Sequence, residues 1–361
     1  MPPERRPRAK ILDLGAVYRE TRRRIAQLEQ EGSCARSGPA TVHDFGAGHS
    51  NAWEDLDGEV MPLLMRPRTC AVNPGTCSFS VTTDDTISAG RRVSLASGCP
   101  AFVLNFASKN LPGGAVASGV LAQEECIFRQ TTISLTLPPE HRPSCYPMPP
   151  GRVVVTRDVA VVRAGHPGYE WLEAPFLLLD IATSAAEQKP PLSADGKYYA
   201  NPEGMLMRGA SVLQAAARNG SSHLVLGAWG CGGFRNPPRG LAEVFRRLLI
   251  DCGYARFFRY VEFALPGDAS KFVEPFQTVF ADILSPAVSV DHLEEATSCR
   301  DHAGMSRESD DLVESGVDDK VLTPSTGDDG ARDGHGRATR TLPCDVNIGA
   351  AELVVSEKTK K

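Results

Sequence analysis

Two adjacent carboxylates, Glu124 and Glu125, follow a loop that contains Gly113 and Gly114. A glycine pair lets the backbone adopt positive φ and approach a ligand closely. Neighbouring side chains at the start of a helix point about 100° apart, so we expect the two acids to do different jobs rather than share one proton. Acids in a first helical turn are also what the helix dipole favours. The pair therefore indicates a ligand site only together with its glycine loop.

A second glycine-rich block, VLGAWGCG at residues 225–232, lies between a predicted strand and a predicted helix. Its exposed backbone N–H groups are suited to cradling a diphosphate. The alternative is a tight strand-to-helix turn without a ligand. The block also partly resembles a dinucleotide-binding motif. It lacks the intact G-x-G-x-x-G and the acidic residue expected further along the chain, and this disfavours a nicotinamide cofactor.

Other catalytic chemistries find little support. Cys231 would need a histidine base to act as a nucleophile, and the sequence places none nearby. There is no Walker A loop and no G-x-S-x-G motif. The histidines are too scattered to predict a metal site, so neither a metal nor another cofactor is expected.

Alternating strands and helices surround these motifs and predict an α/β/α sandwich. Residues 79–82 read as a strand, and residues 83–85 offer a cap for a helix reaching residue 96. An apolar strand over residues 101–106 leads into the first glycine loop. The further predicted strands are 153–156, 159–163, 176–181 (central and parallel), 223–226 and 260–263, and the further predicted helices are 205–219, 241–249 and 272–284.

The two ends of the chain differ from this core in composition. We divide the chain into an N-terminal basic and helical extension (1–75), a catalytic domain (76–285) and a disordered C-terminal tail (286–361). Residues 1–10 are basic and rich in proline, and a helix starts near Leu14. Its run Arg22-Arg23-Arg24 is either a solvated helix face or a contact for a nuclear import factor or polyanion. The tail has no aromatic residue after Phe280 and too little apolar surface to order itself.

Composition limits the classes of protein that fit. The 361 residues are 42% hydrophobic and 23% charged, enough for one sizeable core. A net charge of −5 argues against binding DNA through a broad basic face. The ten cysteines include no Cys-x-x-Cys and suggest reduced thiols. No stretch is long and apolar enough for a membrane span. An intracellular protein, cytoplasmic or nuclear, is expected.

The motifs together resemble the microbial-type poly(ADP-ribose) glycohydrolases, whose fold is macrodomain-like. Asn105-Phe106-Ala107, Pro112-Gly113-Gly114 and Gln123-Glu124-Glu125 are similar to the family signature, a triple glycine followed at a short distance by Gln-Glu-Glu. The block at residues 225–232 is similar to the family's diphosphate loop. The resemblance covers roughly residues 81–284 and implies a three-layer α/β/α sandwich with a mixed central sheet.

The resemblance implies a glycosidase-type hydrolase that cuts ribose–ribose O-glycosidic bonds of poly(ADP-ribose) and releases ADP-ribose. Glu125 is then the general acid and base, and Glu124 holds the ribose hydroxyls. The substrate-binding residues it implies, with those of the glycine block, are Asn105, Gly113, Gly114, Ala115, Gln123, Gly227, Ala228, Trp229, Gly230, Cys231, Gly232, Gly233 and Phe234. Phe234 is either a ribose or loop contact or a core aromatic. The expected partner is poly(ADP-ribose) or an ADP-ribosylated protein, without direct contact to DNA or membrane.

One position departs from the family signature, because Ala115 stands where the third glycine is found. The alternative function is therefore an ADP-ribose reader whose catalysis is impaired at this position. A third interpretation is removal of a terminal or single ADP-ribose from protein, since the same pocket could accept it.

Overall fold

The computed structural model of the chain describes residues 12–32, 40–44, 77–139 and 143–288. These residues belong to one compact unit. Residues outside the described part of the chain include the basic residues 1–10, most of residues 31–75 and all of the predicted tail after residue 288. No helix in the described part of the chain is both long enough and apolar enough to cross a membrane.

A seven-stranded mixed sheet forms the middle layer of the domain. Its strands are β1 (Thr41–Asp44), β2 (Ser78–Thr82), β3 (Phe102–Phe106), β4 (Arg152–Ala160), β5 (Leu178–Ser184), β6 (His223–Gly227) and β7 (Tyr260–Ala264). The order across the sheet is β1-β4-β5-β3-β6-β7-β2. The five strands from β5 to β2 are mutually parallel, whereas β4 is antiparallel to both of its neighbours.

Helices cover both faces of the sheet, which confirms the predicted three-layer sandwich. The helices are α1 (Leu14–Gln30), α2 (Thr86–Ser97), α3 (Gln123–Gln130), α4 (Glu203–Arg218), α5 (Pro238–Arg246) and α6 (Glu274–Val279). One apolar cluster joins α4, α5 and α6 to one face of the strands. A second cluster joins α2 and α3 to the other face, and it includes Tyr18 of α1. Alternation along the strands supplies both clusters, as a sheet buried on two sides requires.

Local sequence explains where α2 begins and ends. The side chain of Asp85 accepts hydrogen bonds from the N–H groups of Ile87 and Ser88 at the N-terminus of the helix. Gly98 closes the helix in the left-handed conformation, with φ 68°. The predicted cap in residues 83–85 is therefore confirmed, and α2 is held directly beside the end of β2.

Three sequence expectations need correction. The predicted strands 153–156 and 159–163 are largely one strand, β4, which is interrupted by a register shift between Thr156 and Val159. At that shift Asp158 has φ 54°, and its N–H donates to Asp180 Oδ1 over 3.1 Å. The strand β5 is parallel to β3 but antiparallel to β4. The last helix is shorter than expected, because only 274–279 are α-helical, after a π-helical turn at Ala269–Val273.

Most cysteines in the described residues are free thiols, as expected from their scatter along the sequence. These are Cys77, Cys126, Cys145, Cys231 and Cys252. Cys99 differs from that expectation, because it is disulfide-bonded.

Candidate active site

The two carboxylates lie in the first turn of α3, directly after the loop that follows β3. Glu124 and Glu125 are only 4% and 7% exposed. Ala122 precedes the helix in an extended conformation and gives it no side-chain cap. Because the N-terminus of a helix carries a partial positive charge, two acids are favourable there. The loop and helix together bring both acids to the carboxyl end of the parallel strand β3.

Glu124 is held by backbone groups on both of its oxygens. Its Oε2 accepts the N–H of Ser108 over 2.7 Å, and its Oε1 accepts the N–H of Gly113 over 3.0 Å. The pKa of Glu124 is raised to about 8, mainly by burial and also by the neighbouring Glu125 carboxylate, against the lowering effect of the backbone N–H bonds. Glu124 therefore has a fixed position beneath the glycine loop.

Glu125 is held at one oxygen. Its Oε1 accepts the N–H of Ala115 over 3.0 Å, and within the described residues its Oε2 makes no hydrogen bond. Glu125 also lines the large cavity at this end of the sheet. One carboxylate oxygen is thus positioned by the loop while the other is available to a ligand.

Glycine is required in this loop at the point where it passes over the acids. Gly113 and Gly114 have φ of 73° and 53°. A β-carbon on Gly114 would lie 2.6 Å from Glu125 Oε1 and 3.0 Å from Glu124 Oε2. Ala115, in contrast, has φ −106°, which alanine adopts without strain. The structure therefore explains two glycines of the signature and accommodates an alanine at the third position.

The second glycine block follows β6 and forms a turn whose inner side is packed with buried side chains. The ring of Trp229 is fully buried, and its Nε1–H donates to the carbonyl of Ser184 over 3.1 Å. Gly230 has φ 76° and lies against the side chain of Asn236. That side chain donates to the carbonyls of Glu187 and Gly230, which ties the block to the loop after β5. These contacts fix the inner side of the turn, and the outer part of the turn faces solvent.

Backbone donors are exposed on this outer part. Gly232 and Gly233 are exposed, and a β-carbon on either would meet no atom within 4 Å. Among the described residues, the N–H groups of Gly232, Gly233 and Phe234 have no hydrogen-bond acceptor. Successive unpaired N–H groups of this kind form an anion-binding concavity.

Both blocks line one cavity of about 820 Å³ at the carboxyl ends of the parallel strands. Of the residues named from sequence, those that line it are Gly114, Ala115, Gln123, Glu124, Glu125, Ala228, Trp229, Gly230, Gly232, Gly233 and Phe234. Four other residues named from sequence do not line the cavity and lie behind the residues that do: Asn105, Gly113, Gly227 and Cys231. Carboxyl ends of parallel strands are where α/β proteins bind ligands.

Gln123 and Asn105 were expected to form a polar cradle for the sugar, but the structure gives them internal partners. Gln123 Oε1 accepts the N–H of Phe106 over 2.8 Å, and its Nε2 donates to the carbonyl of Leu104 over 2.7 Å. Asn105 is fully buried, donates to Thr183 Oγ1 over 3.3 Å, and lowers the pKa of Glu124 through a hydrogen bond. Direct contact of either residue with a substrate stays a prediction.

Several cavity residues were not identified from sequence. They are chiefly Asp85, Ile87, Phe106, Ser108, His166 and Phe272. Asp85 follows β2, and Phe272 comes shortly after β7, two parallel strands that end at the same edge as β3 and β6. The ends of the predicted strands could therefore have indicated Asp85 and Phe272 as cavity residues. No local sequence pattern indicates His166. Within the described ranges, no group of three His, Cys, Asp or Glu side chains is arranged to hold a metal ion.

Known proteins match both the sequence and the fold. Residues 51–161 match the family described as "Microbial-type PARG, catalytic domain". A crystal structure of poly(ADP-ribose) glycohydrolase from Thermomonospora curvata is 28% identical with a TM-score of 0.54, over 74% of this chain and 98% of that chain. The chain is thus similar to microbial-type poly(ADP-ribose) glycohydrolases both in sequence and in fold. The family match includes the acid pair and its glycine loop, while the second glycine block lies beyond it.

Two further glycohydrolase structures contain ligands. The Thermomonospora curvata enzyme bound to the inhibitor ADP-HPD is 27% identical, over 74% of this chain and 98% of that chain, with a TM-score of 0.53. The Deinococcus radiodurans enzyme in complex with ADP-ribose is 26% identical, over 67% of this chain and 94% of that chain, with a TM-score of 0.51. No curated protein sequence matches the chain significantly. The family's macrodomain-like sandwich is thus confirmed as the fold of this domain.

Proposed function

We propose that the chain hydrolyses the O-glycosidic bonds between ADP-ribose units of poly(ADP-ribose) and releases ADP-ribose. The observation that carries the proposal is that the acid pair and the second glycine block, about 100 residues apart, line the same cavity. Its volume of about 820 Å³ suits a ligand of nucleotide size. One ADP-ribose unit can then lie with its diphosphate at the glycine block and its distal ribose at the acids.

Glu125 is the proposed general acid and base. A glycosidic bond breaks through an oxocarbenium-like transition state, which requires a proton at the departing oxygen. Protonated Glu125 donates that proton as the bond breaks. The resulting carboxylate then takes a proton from the water that attacks the anomeric carbon, which restores the acid. Oε1 of Glu125 accepts the N–H of Ala115, so Oε2 of Glu125 is the oxygen available for both proton transfers.

Glu124 is the proposed orienting residue. A carboxyl group has lone pairs beyond the two that accept the N–H groups of Ser108 and Gly113, so it can also accept ribose hydroxyls. Because both oxygens are fixed by backbone donors, a sugar bound to Glu124 is oriented relative to Glu125. Orientation of this kind lowers the barrier without proton transfer.

Backbone dipoles are the proposed partners of the diphosphate. Among the described residues that line the cavity there is no Lys or Arg, so the exposed N–H groups of Gly232, Gly233 and Phe234 would meet the charge. The concavity matches a single diphosphate, which each unit of poly(ADP-ribose) and each ADP-ribosylated protein offers, and in the described part of the chain no basic lining extends it for contact with DNA. Five of the six described cysteines are free thiols, Cys99 being the disulfide-bonded one, and this supports an intracellular setting, cytoplasmic or nuclear.

Incubation of purified protein with end-labelled poly(ADP-ribose) tests the proposal. Wild type should shorten the polymer and release ADP-ribose. Glu125→Gln should lose turnover by about 100-fold or more and still bind ADP-ribose, because the amide oxygen can accept the N–H of Ala115. Glu243→Gln is a suitable control, since Glu243 is exposed on α5. Intact polymer with wild type, or turnover in Glu125→Gln near the wild-type rate, contradicts the assignment.

A second candidate function is ADP-ribose binding without turnover. Ala115 favours it, because its methyl group lies on the cavity wall where the family signature has glycine. Calorimetry with ADP-ribose beside the polymer assay separates the two functions. Binding without release of ADP-ribose supports the reader, and release supports the hydrolase.

A further inference from the structure

Arg129 is a fully buried arginine on the helix of the acid pair. It lies four residues after Glu125 on α3, so both side chains leave the same face of the helix. Its Nε–H donates to the carbonyl of Leu14 over 3.0 Å. Its Nη2 donates to the carbonyls of Val120 over 2.7 Å and Val116 over 3.3 Å. One guanidinium thus joins α1, α3 and the loop that carries Ala115.

The charge of Arg129 is met by carbonyl groups and by the nearby Tyr169 hydroxyl, whose pKa is raised by burial and lowered by the guanidinium. Within the described residues no carboxylate forms an ion pair with it, and its Nη1 has no hydrogen-bond partner. A buried cation without a carboxylate is costly. A neutral side chain would fill the same space at lower cost, but it could not donate to three carbonyls at once. The arrangement therefore has the features of a clamp on the loop rather than of a stabilising ion pair.

The N-terminus of α1 presses on the same loop from outside. A β-carbon on Gly15 would lie 2.7 Å from the carbonyl oxygen of Ala117. Deeper along α1, Thr21 Oγ1 lies 2.9 Å from the carbonyl oxygen of Val17 and 3.1 Å from that of Arg129, and its single hydrogen can be donated to either. Thr21 is itself held by the Nε–H of Arg163 over 2.8 Å. The loop segment 115–120 is therefore held by α1 and α3 through its backbone while most of its residues face solvent, and its Ala115 N–H is directed at Glu125.

We propose that α1 and Arg129 position the catalytic loop, so that the N-terminal helix is a working part of the active site rather than an extension of the domain. This inference rests on the proposed role of Glu125. Arg129 fixes the carbonyls of residues 116 and 120, and this fixes the direction of the Ala115 N–H that aims the Glu125 carboxyl group. Arg129 and Gly15 are positioning residues, and neither lines the cavity.

Gly15→Ala is the sharpest test, because the atom nearest to its β-carbon would be the loop carbonyl oxygen of Ala117, ahead of the Arg19 and Asp13 side chains at 3.2 and 3.3 Å. Gly15 does not have positive φ, and alanine has the higher helix propensity, so α1 itself should gain stability. Its methyl group must displace the Ala117 carbonyl. We expect kcat on polymer to fall about tenfold or more while the Kd for ADP-ribose stays within about twofold, since small misplacements of catalytic groups mainly lower the rate.

Amide hydrogen exchange of the loop supplies a readout that does not depend on turnover. Peptides covering residues 111–121 should exchange faster in Gly15→Ala than in wild type, while peptides from β5 and β6 stay unchanged. Arg23→Ala is the matched control, since Arg23 is exposed on the same helix, and it should alter neither exchange nor kcat. Arg129→Lys keeps the charge but not the three-way fork, and should lower kcat as Gly15→Ala does.

The outcomes distinguish this inference from the proposed function. Unchanged loop exchange in both Gly15→Ala and Arg129→Lys overturns the clamp. Faster exchange with unchanged kcat overturns its catalytic role. If wild type hydrolyses no polymer, the proposed function fails by itself, and the catalytic role of the clamp fails with it. Loop exchange in the two variants then still decides whether α1 and Arg129 hold the loop.

Discussion

The backbone N–H of Ala115 donates to Glu125 Oε1 over 3.0 Å. This bond uses the main chain of the loop, so it does not depend on which side chain residue 115 carries. The conformation of Ala115, φ −106° and ψ 31°, also does not require glycine. The substitution of the third signature glycine therefore preserves the contact that positions the proposed proton donor.

We accordingly expect Ala115→Gly to change turnover little. The variant should hydrolyse polymer within about threefold of the wild-type rate and should lose about 0.4–1 kcal/mol of unfolding free energy, because glycine gives the unfolded chain more freedom. Initial rates on labelled polymer and denaturant unfolding measure the two effects. A rise in rate of about tenfold would instead show that the alanine methyl obstructs the substrate.

Gly114→Ala should be far more damaging than its neighbour. The new β-carbon would lie 2.6 Å from Glu125 Oε1 and 3.0 Å from Glu124 Oε2, in a residue with φ 53°. We expect a loss of about 1–3 kcal/mol in stability from the backbone alone. Displacement of both carboxylates should lower kcat by about 100-fold or more.

Gly98→Ala is the matched control for that substitution. Gly98 closes α2 with φ 68°, and a β-carbon there would meet no atom within 4 Å. Its backbone penalty should therefore equal that of Gly114→Ala without contact to the acids. Equal loss of kcat in the two variants would show that the carboxylates are insensitive to Gly114, contrary to the geometry.

Gly232→Ala should separate ligand binding from folding. Residue 232 is exposed and lines the cavity, and a β-carbon there would meet no atom within 4 Å. Unfolding free energy should stay within about 0.5 kcal/mol of wild type. The affinity for ADP-ribose should fall about tenfold, or about 1.4 kcal/mol, because the methyl group stands between the backbone donors and the diphosphate. Unchanged affinity by calorimetry would place the diphosphate elsewhere.

Sequence patterns predicted the parallel half of the fold well. Strands β3, β6 and β7 are short apolar runs, and Asp85 supplies a recognisable cap for α2. Strand β1 gave no such signal, because residues 41–44 are mostly exposed and owe their structure to pairing with β4. The ion pair between Asp44 and Arg152 across these strands links residues far apart in sequence, and no local pattern reveals it.

The site was predictable in its residues but less so in their roles. Spacing placed Glu124 and Glu125 on a helix after a glycine loop, as the structure has them. It did not reveal that the amide of Gln123 is used by the backbone of β3, or that Arg129 reaches the N-terminal helix. Both contacts depend on how distant segments pack together, which side-chain type and spacing alone do not specify.

The protonation of Glu124 should make the stability of the fold depend on pH. Its pKa is raised to about 8, mainly by burial, from an ordinary value of 4.5. A raised carboxyl pKa means that the folded state binds more protons than the unfolded state between these values. Stability is therefore fully present below about pH 4.5 and is lost as pH rises towards 8, with a slope of at most about 1.4 kcal/mol per pH unit.

Glu124→Gln isolates this contribution, because glutamine resembles the protonated acid and does not ionise. One backbone N–H loses its acceptor in the variant, which lowers its stability by an amount that does not depend on pH. The difference in unfolding free energy should therefore shift steadily against wild type as pH rises from 5 to 8. Parallel denaturant titrations across that range measure the difference, from which the other ionisable groups largely cancel. A difference that stays constant with pH, or that grows in favour of wild type, would mean that the backbone N–H groups of Ser108 and Gly113 outweigh burial and keep Glu124 ionised.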